Sequence, residues 1–312
     1  MDINYLLLLQ EFRNQTGNLF TPFMEWISHF AVAYLIIIPV FIYWCVDKKK
    51  GLYTFLAMAL SIPLNSLIKV TACINRPWIR DPRITPVEGA LKEATGYSFP
   101  SGHSVTAAAI YGAVAVSFRK KAVVIVSVIL IILTCFSRNY LGVHTPQDVI
   151  VGLLLGLGCL YGCARLFGYL DQHPEMENYW LAGGIAFCVL AFLYITLKAY
   201  PMDYDANGVL LVDPQVLRID AYTDVAMLCS FCAARYIEKR FIRFTHAGHS
   251  PKGIAVCAAG IVPLVLVAKV LKGPLCALLG LLAGKVLDYV LLVFYIIVLW
   301  PMVIRTVMKK QQ

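Results

Sequence analysis

Nine apolar runs of roughly the length that crosses a hydrocarbon core succeed one another along this chain, and polar or basic clusters interrupt them. They cover about residues 20–46, 52–74, 101–118, 122–141, 146–165, 179–199, 221–237, 254–271 and 286–304. In lipid, runs of this kind satisfy their backbone groups only as helices or closed barrels, and at this length and apolarity the helix is the reading. The expected fold is therefore all-α, a polytopic membrane helix bundle of about nine transmembrane helices. With 60% hydrophobic and 14% charged residues among 312, an ordinary soluble domain around one core is excluded. Residues 1–19 set Leu6–Leu9 against Gln10, Glu11 and Arg13 and predict an amphipathic helix at the interface, with no cleavable leader before it. Residues 275–284 are too short to span and predict a re-entrant or surface piece.

The net charge of +9 is dispersed in short clusters between the runs, which argues for loop charge that sets orientation and against a nucleic-acid surface. Placing Lys48–Lys50 inside puts 15 of the 27 basic and five of the 18 acidic residues on the inner face. The Asn75-to-Phe99 stretch, the start of the third run and the end of the fourth then share the outer face. The ten cysteines lie mostly within apolar runs, Cys159 with Cys163 and Cys229 with Cys232 at helical spacing, and are read as small packing residues.

Three polar clusters meet the ends of these runs on that outer face. Lys69 and Arg76-Pro77 form the first, Pro100-Ser101-Gly102-His103 the second, and Ser137-Arg138 with His144 and Asp148 the third. Ionisable groups at such positions are costly in a membrane protein and mark function. A phosphate ester needs fixed cations, a nucleophile and an acid for the leaving oxygen. Lys69, Arg76 and Arg138 supply the cations. The amides of Ser101 and Gly102 at a helix N-terminus add donors. In Thr145-Pro146-Gln147-Asp148, Thr145 fits an N-cap, Pro146 the first helical position and Asp148 a capping acid. Asp148 also lies four residues from His144, where it can fix the imidazole tautomer.

The spacing K-x6-R-P, P-S-G-H, S-R-x5-H-x3-D resembles the superfamily of type 2 phosphatidic acid phosphatases, which includes glucose-6-phosphatase and the vanadium haloperoxidases. The resemblance covers Lys69 to Asp148, and the nine-helix layout is similar to that of glucose-6-phosphatase. It implies that His144 attacks phosphorus, that Asp148 orients it and that His103 protonates the leaving group. Lys69, Arg76, Ser101, Gly102 and Arg138 then bind the phosphate. The implied function is a metal-independent membrane phosphatase, without cofactor, acting on a phosphate monoester or pyrophosphate of a lipid through a phosphohistidine on the extracytoplasmic or lumenal face. Its partners are the lipid bilayer and a phosphorylated lipid, not nucleic acid, and no oligomeric state follows. A soluble sugar phosphate is the alternative substrate. Alternative classes are a vanadium haloperoxidase, whose relatives are typically soluble, and a non-catalytic lipid transporter or receptor, which would be expected to have lost Arg138, His144 or Asp148.

Residues 1–172 are expected to hold the amphipathic N-terminus and the catalytic core, and 173–312 four further helices of the same integral unit. The loop over residues 200–220 is either a lid or a solvated connection. His246 and His249 are read as solvated loop residues. Short loops and tails favour a bacterial cytoplasmic membrane, whereas Lys309-Lys310-Gln311-Gln312 resembles a dilysine endoplasmic-reticulum signal.

Overall fold

In a computed structural model that describes residues 2–205 and 207–309, the elements follow the apolar runs. They are α1 (Asp2–Gln15), α2 (Thr21–Ala33), α3 (Ile37–Phe41), α4 (Lys48–Ala72), the one-turn helices α5 (Pro77–Arg80) and α6 (Glu88–Leu91), α7 (Gly102–Phe118), α8 (Lys121–Tyr140), α9 (Pro146–Gln172), α10 (Glu177–Leu197), α11 (Pro214–Ile237), α12 (Pro251–Leu266), α13 (Lys272–Leu279), α14 (Leu281–Phe294) and α15 (Trp300–Lys309). Among the described residues there is no strand beyond one isolated bridge, Tyr204 to Leu210.

Among the described residues, six helical stretches are long and apolar enough to cross a membrane: Lys48–Arg80, Lys121–Tyr140, Pro146–Gln172, Pro174–Leu197, Pro251–Leu279 and Leu281–Met308. Gly102–Phe118 and Ile37–Val46 are shorter apolar helices. The protein is a multi-pass helical membrane protein. Residues 275–284 are not a separate short piece. Helix α12 continues through a π turn into α13, and the chain reverses at Gly280 (φ +82°), where α14 begins. The run over 20–46 is interrupted by a turn at residues 34–36 between α2 and α3. The last residues of the dilysine-like tail lie outside the described residues.

The chain forms two compact units, each drawing on both sides of residue 172. The first comprises residues up to Leu35, Ser61–Tyr161 and Leu197–Ala221; the second comprises Ile36–Leu60, Gly162–Thr196 and Tyr222 onward. In the first, α7 is apolar around most of its circumference, and Val105, Ala107–Ala109, Ile110 and Ala113 are fully buried. Gly152 and Gly156 let α9 approach it closely: a Cβ at these positions would stand 2.6 Å from the carbonyl oxygens of Ser101 and Val105. Arg13 of α1, expected on a polar outer face, is instead buried and donates to the Tyr140 and Thr85 carbonyls at 3.1 and 2.6 Å.

In the second unit, Lys48 donates to the buried Glu238 at 2.6 Å, Arg235 to Glu177 at 2.8 Å, and Lys49 pairs with Asp171. These pairs join the ends of α4, α9, α10 and α11, and Lys48 and Lys49 belong to the basic cluster placed inside by charge. His246 and His249 are exposed. The ten cysteines form no disulfide.

Candidate active site

All the motif residues belong to the first unit, and three helix ends bring them together. The first is the end of α4, which carries Lys69 in its last turn. The second is the start of α7. Ser101 caps it in extended conformation (φ −75°, ψ 111°), and its Oγ accepts from the Ser104 amide at 3.4 Å. The third is the α8–α9 turn, where Gly142 takes φ +74° and the chain re-enters a helix at Pro146. There Asp148 Oδ2 accepts from the Thr145 amide at 2.8 Å while Thr145 Oγ1 accepts from the Asp148 amide at 3.3 Å, the reciprocal cap expected of this sequence.

The same Oδ2 lies 3.4 Å from His144 Nδ1, so Asp148 is both cap and histidine partner. Ser98 Oγ donates to it at 2.5 Å. On the other side of the ring, His144 Nε2 is 2.9 Å from Arg76 Nη1. A guanidinium only donates, so Nε2 is the acceptor and the ring proton resides on Nδ1, facing Asp148. The lone pair on Nε2 is thus turned toward Arg76, away from Asp148. Burial, and then Arg76, Arg138, Lys69 and His103, hold His144 well below the ordinary imidazole range and keep it neutral.

The cations divide by task. Arg76 is buried and also donates to the carbonyls of Gly96, Val143 and Thr95 at 3.1, 3.0 and 2.9 Å. Lys69 donates to the carbonyls of Tyr97, Ser98 and Pro100 at 2.9, 3.3 and 3.0 Å, which ties the end of α4 to the segment before α7. Arg138 differs. It is fully buried, its Nη1 donates to Ser28 Oγ, and its Nε and Nη2 have no hydrogen-bond partner among the described residues. An uncompensated guanidinium is among the costliest groups to bury, and its planar fork matches a tetrahedral oxyanion.

One expectation is corrected here. The Ser101 amide donates to the Asp148 carbonyl at 2.9 Å and is not available to a ligand. Gly102, at the first helical position, keeps an amide without an intrahelical acceptor. Side chains that the spacing did not single out complete the site. Ser28, Ser98 and Glu93 contact Arg138, Asp148 and His103 respectively, and His29 contacts Glu93.

A single-family profile, the PAP2 superfamily, matches residues 50–172, which hold every one of the motif positions. Undecaprenyl-diphosphatase BcrC of Bacillus subtilis (strain 168) is 31% identical over 137 residues, covering 43% of this chain and 68% of that protein. The chain belongs to the PAP2 superfamily. Two further relatives are similar over part of the chain. Phosphatidylglycerophosphatase B of Bacillus subtilis (strain 168) is 32% identical over 139 residues, 42% of this chain and 64% of its own length. An undecaprenyl-diphosphatase of Sulfolobus acidocaldarius is 33% identical over 110 residues, 35% of this chain and 51% of its own. The chain thus spans between about half and two thirds of the curated relatives it matches. No solved structure matches this PAP2 chain.

Proposed function

We propose that the protein is a lipid phosphatase that hydrolyses a phosphate monoester or diphosphate through a phosphohistidine at His144, on the extracytoplasmic face. The observation that carries this reading is Arg138, a fully buried guanidinium with two unpartnered nitrogens among Arg76, His103 and His144. A phosphoryl dianion supplies the missing acceptors. When it enters, its oxygens take N–H donors of Arg138 and Arg76, and loss of the Arg76 Nη1 bond releases Nε2 of His144.

The Nε2 pair then forms the N–P bond as the bond to the leaving oxygen breaks, and that oxygen takes a proton from His103. Asp148, on Nδ1, compensates the positive charge that the ring acquires. In the second half-reaction water gives its proton to His103 and its oxygen to phosphorus, and the N–P bond breaks. Lys69 acts through the loop it holds and through its charge. The basic clusters at the inner end of the spans support the outward site. A lipid substrate agrees with the names of the relatives and with a site built at helix ends in a membrane protein.

Phosphate release in detergent tests this, using phosphatidate, phosphatidylglycerophosphate, undecaprenyl diphosphate and a sugar phosphate with the wild type and His144→Ala. Release from a lipid phosphate that His144→Ala abolishes is expected, with vanadate inhibiting. Release from the sugar phosphate alone, or from none, counts against the reading.

A further inference from the structure

His144 has Asp148 as its carboxylate, and His103 has a carboxylate of its own. Glu93, two residues past α6, places Oε2 3.2 Å from His103 Nε2 and Oε1 2.5 Å from His29 Nδ1. The three side chains come from three places, the start of α7, the loop before it and α2. His103 is buried, Glu93 half-buried, and His29 exposed over 57% of its side chain. The line they make runs from the interior to a cleft of about 260 Å³ lined by Glu25, Ser28, His29, Gly89 and Glu93. Ser28 of that cleft is also the partner of Arg138 Nη1.

The carboxylate caps no helix and holds no loop: among the described residues, its two oxygens bond only the two imidazoles. The other titratable or charged groups facing this cluster are Glu25, which lines the cleft with Glu93 and His29, Arg138, near both Glu93 and His103, and Arg76 and His144, near His103. Burial would raise the Glu93 pKa, but the hydrogen bonds to His103 and His29 outweigh it and bring it down to about 2, so the group is ionised across the working range of an enzyme. A proton on His103 has two arginines as neighbours, both of which repel it. Glu93 is the carboxylate bonded to that ring, and its hydrogen bond and charge oppose them.

We propose that Glu93 is a positioning residue for the reaction: it accepts from His103 Nε2, turns the ring so that Nδ1 faces the leaving oxygen, and holds the transferable proton there against Arg138 and Arg76. This rests on the reading of His103 as the acid. In the first half-reaction the Nδ1–H bond breaks as the leaving oxygen gains the proton, and the electron pair of the P–O bond goes to that oxygen. The ring ends neutral, with Nε2–H still on Glu93. In the second, Nδ1 takes a proton from the attacking water. His29 holds the other oxygen of Glu93 and fixes the carboxylate plane from the cleft side.

The test compares Glu93→Gln, Glu93→Asp and His103→Ala across pH on an alkyl phosphate and a nitrophenyl phosphate, with folding followed by gel filtration. Glu93→Gln keeps the shape and loses the charge. On the alkyl phosphate its kcat should fall at least about tenfold and the alkaline limb of its profile should move to lower pH by about one unit. Its release of nitrophenol in a single turnover should stay near wild type, because that leaving group needs no proton and the step in which His103 takes one from water comes later. Glu93→Asp, which keeps the charge, should restore the limb. A wild-type limb and a wild-type ratio between substrates in Glu93→Gln would overturn the proposal while His103→Ala, by sparing the single-turnover release of nitrophenol, still upheld the acid. Equal loss of single-turnover release from both substrates in His103→Ala would instead overturn the reading of the acid, and the role of Glu93 with it. If Glu93→Gln does not fold, Glu93→Ala decides: a single-turnover loss confined to the alkyl phosphate supports the proposal, and a wild-type ratio between substrates refutes it.

Discussion

Replacing Asp148 with Asn changes one charge at a point where three donors converge. Oδ2 accepts from Ser98 Oγ at 2.5 Å and from the Thr145 amide at 2.8 Å, and faces His144 Nδ1 at 3.4 Å. An amide oxygen still accepts the first two, so the cap survives, with a loss of about 1 kcal/mol as charge-assisted bonds become neutral ones. The third contact is altered in kind. As the N–P bond forms, the His144 ring becomes cationic, and a unit charge 3.4 Å from a carboxylate is worth about 5 kcal/mol at an effective dielectric near 20. A neutral amide oxygen facing the ring lacks that term. At about 1.4 kcal/mol per decade, the phosphorylation rate should fall by about 10³–10⁴. The assay is single-turnover labelling of the enzyme from an activated phosphate ester, with thermal unfolding measured alongside. Labelling within tenfold of wild type would refute the argument and leave Asp148 as a helix cap alone.

Three further outcomes are expected. Because His144 is held below the ordinary imidazole value of 6.5, its neutral form persists as pH falls through that value; the acid limb of kcat/KM should therefore lie below pH 6.5, and a limb at or above it would contradict the burial and charge argument. Gly152→Ala puts a Cβ 2.6 Å from the Ser101 carbonyl oxygen and 3.2 Å from Ser104 Cβ, so it should cost about 1–3 kcal/mol in thermal or denaturant unfolding, with unchanged stability counting against the close α7–α9 approach. A cysteine introduced at Gln172 should be protected from an impermeant thiol reagent in intact cells and one at Asn207 labelled, in a background cleared of reactive native thiols; the reverse pattern would invert the proposed sidedness.

What was legible in the sequence was whatever a fixed local spacing encodes. The helices end where the basic clusters stand, and Thr145, Pro146 and Asp148 form the cap that their order specifies. The partners that reach the site from elsewhere were not legible. Glu93, Ser28 and Ser98 are ordinary polar residues in their own neighbourhoods and acquire a role only through contacts with His103, Arg138 and Asp148. The Ser101 amide was misread for the same reason, since its acceptor is a carbonyl 47 residues along the chain. Residues 275–284 were misjudged because a glycine that reverses a helical hairpin looks, in one dimension, like the edge of a separate short segment.

Arg138, packed in the interior with Nε and Nη2 unpartnered, ties occupancy to endurance. Any oxyanion that fits those nitrogens binds the folded chain and not the unfolded one, so it raises the free energy of unfolding by about 2.7 kcal/mol at a hundredfold excess over its dissociation constant. On the proposed reaction, inorganic phosphate is both the product and such an oxyanion. A medium rich in phosphate would then slow turnover by competition while making the protein harder to melt, so that activity and shelf life respond to the same ion in opposite senses.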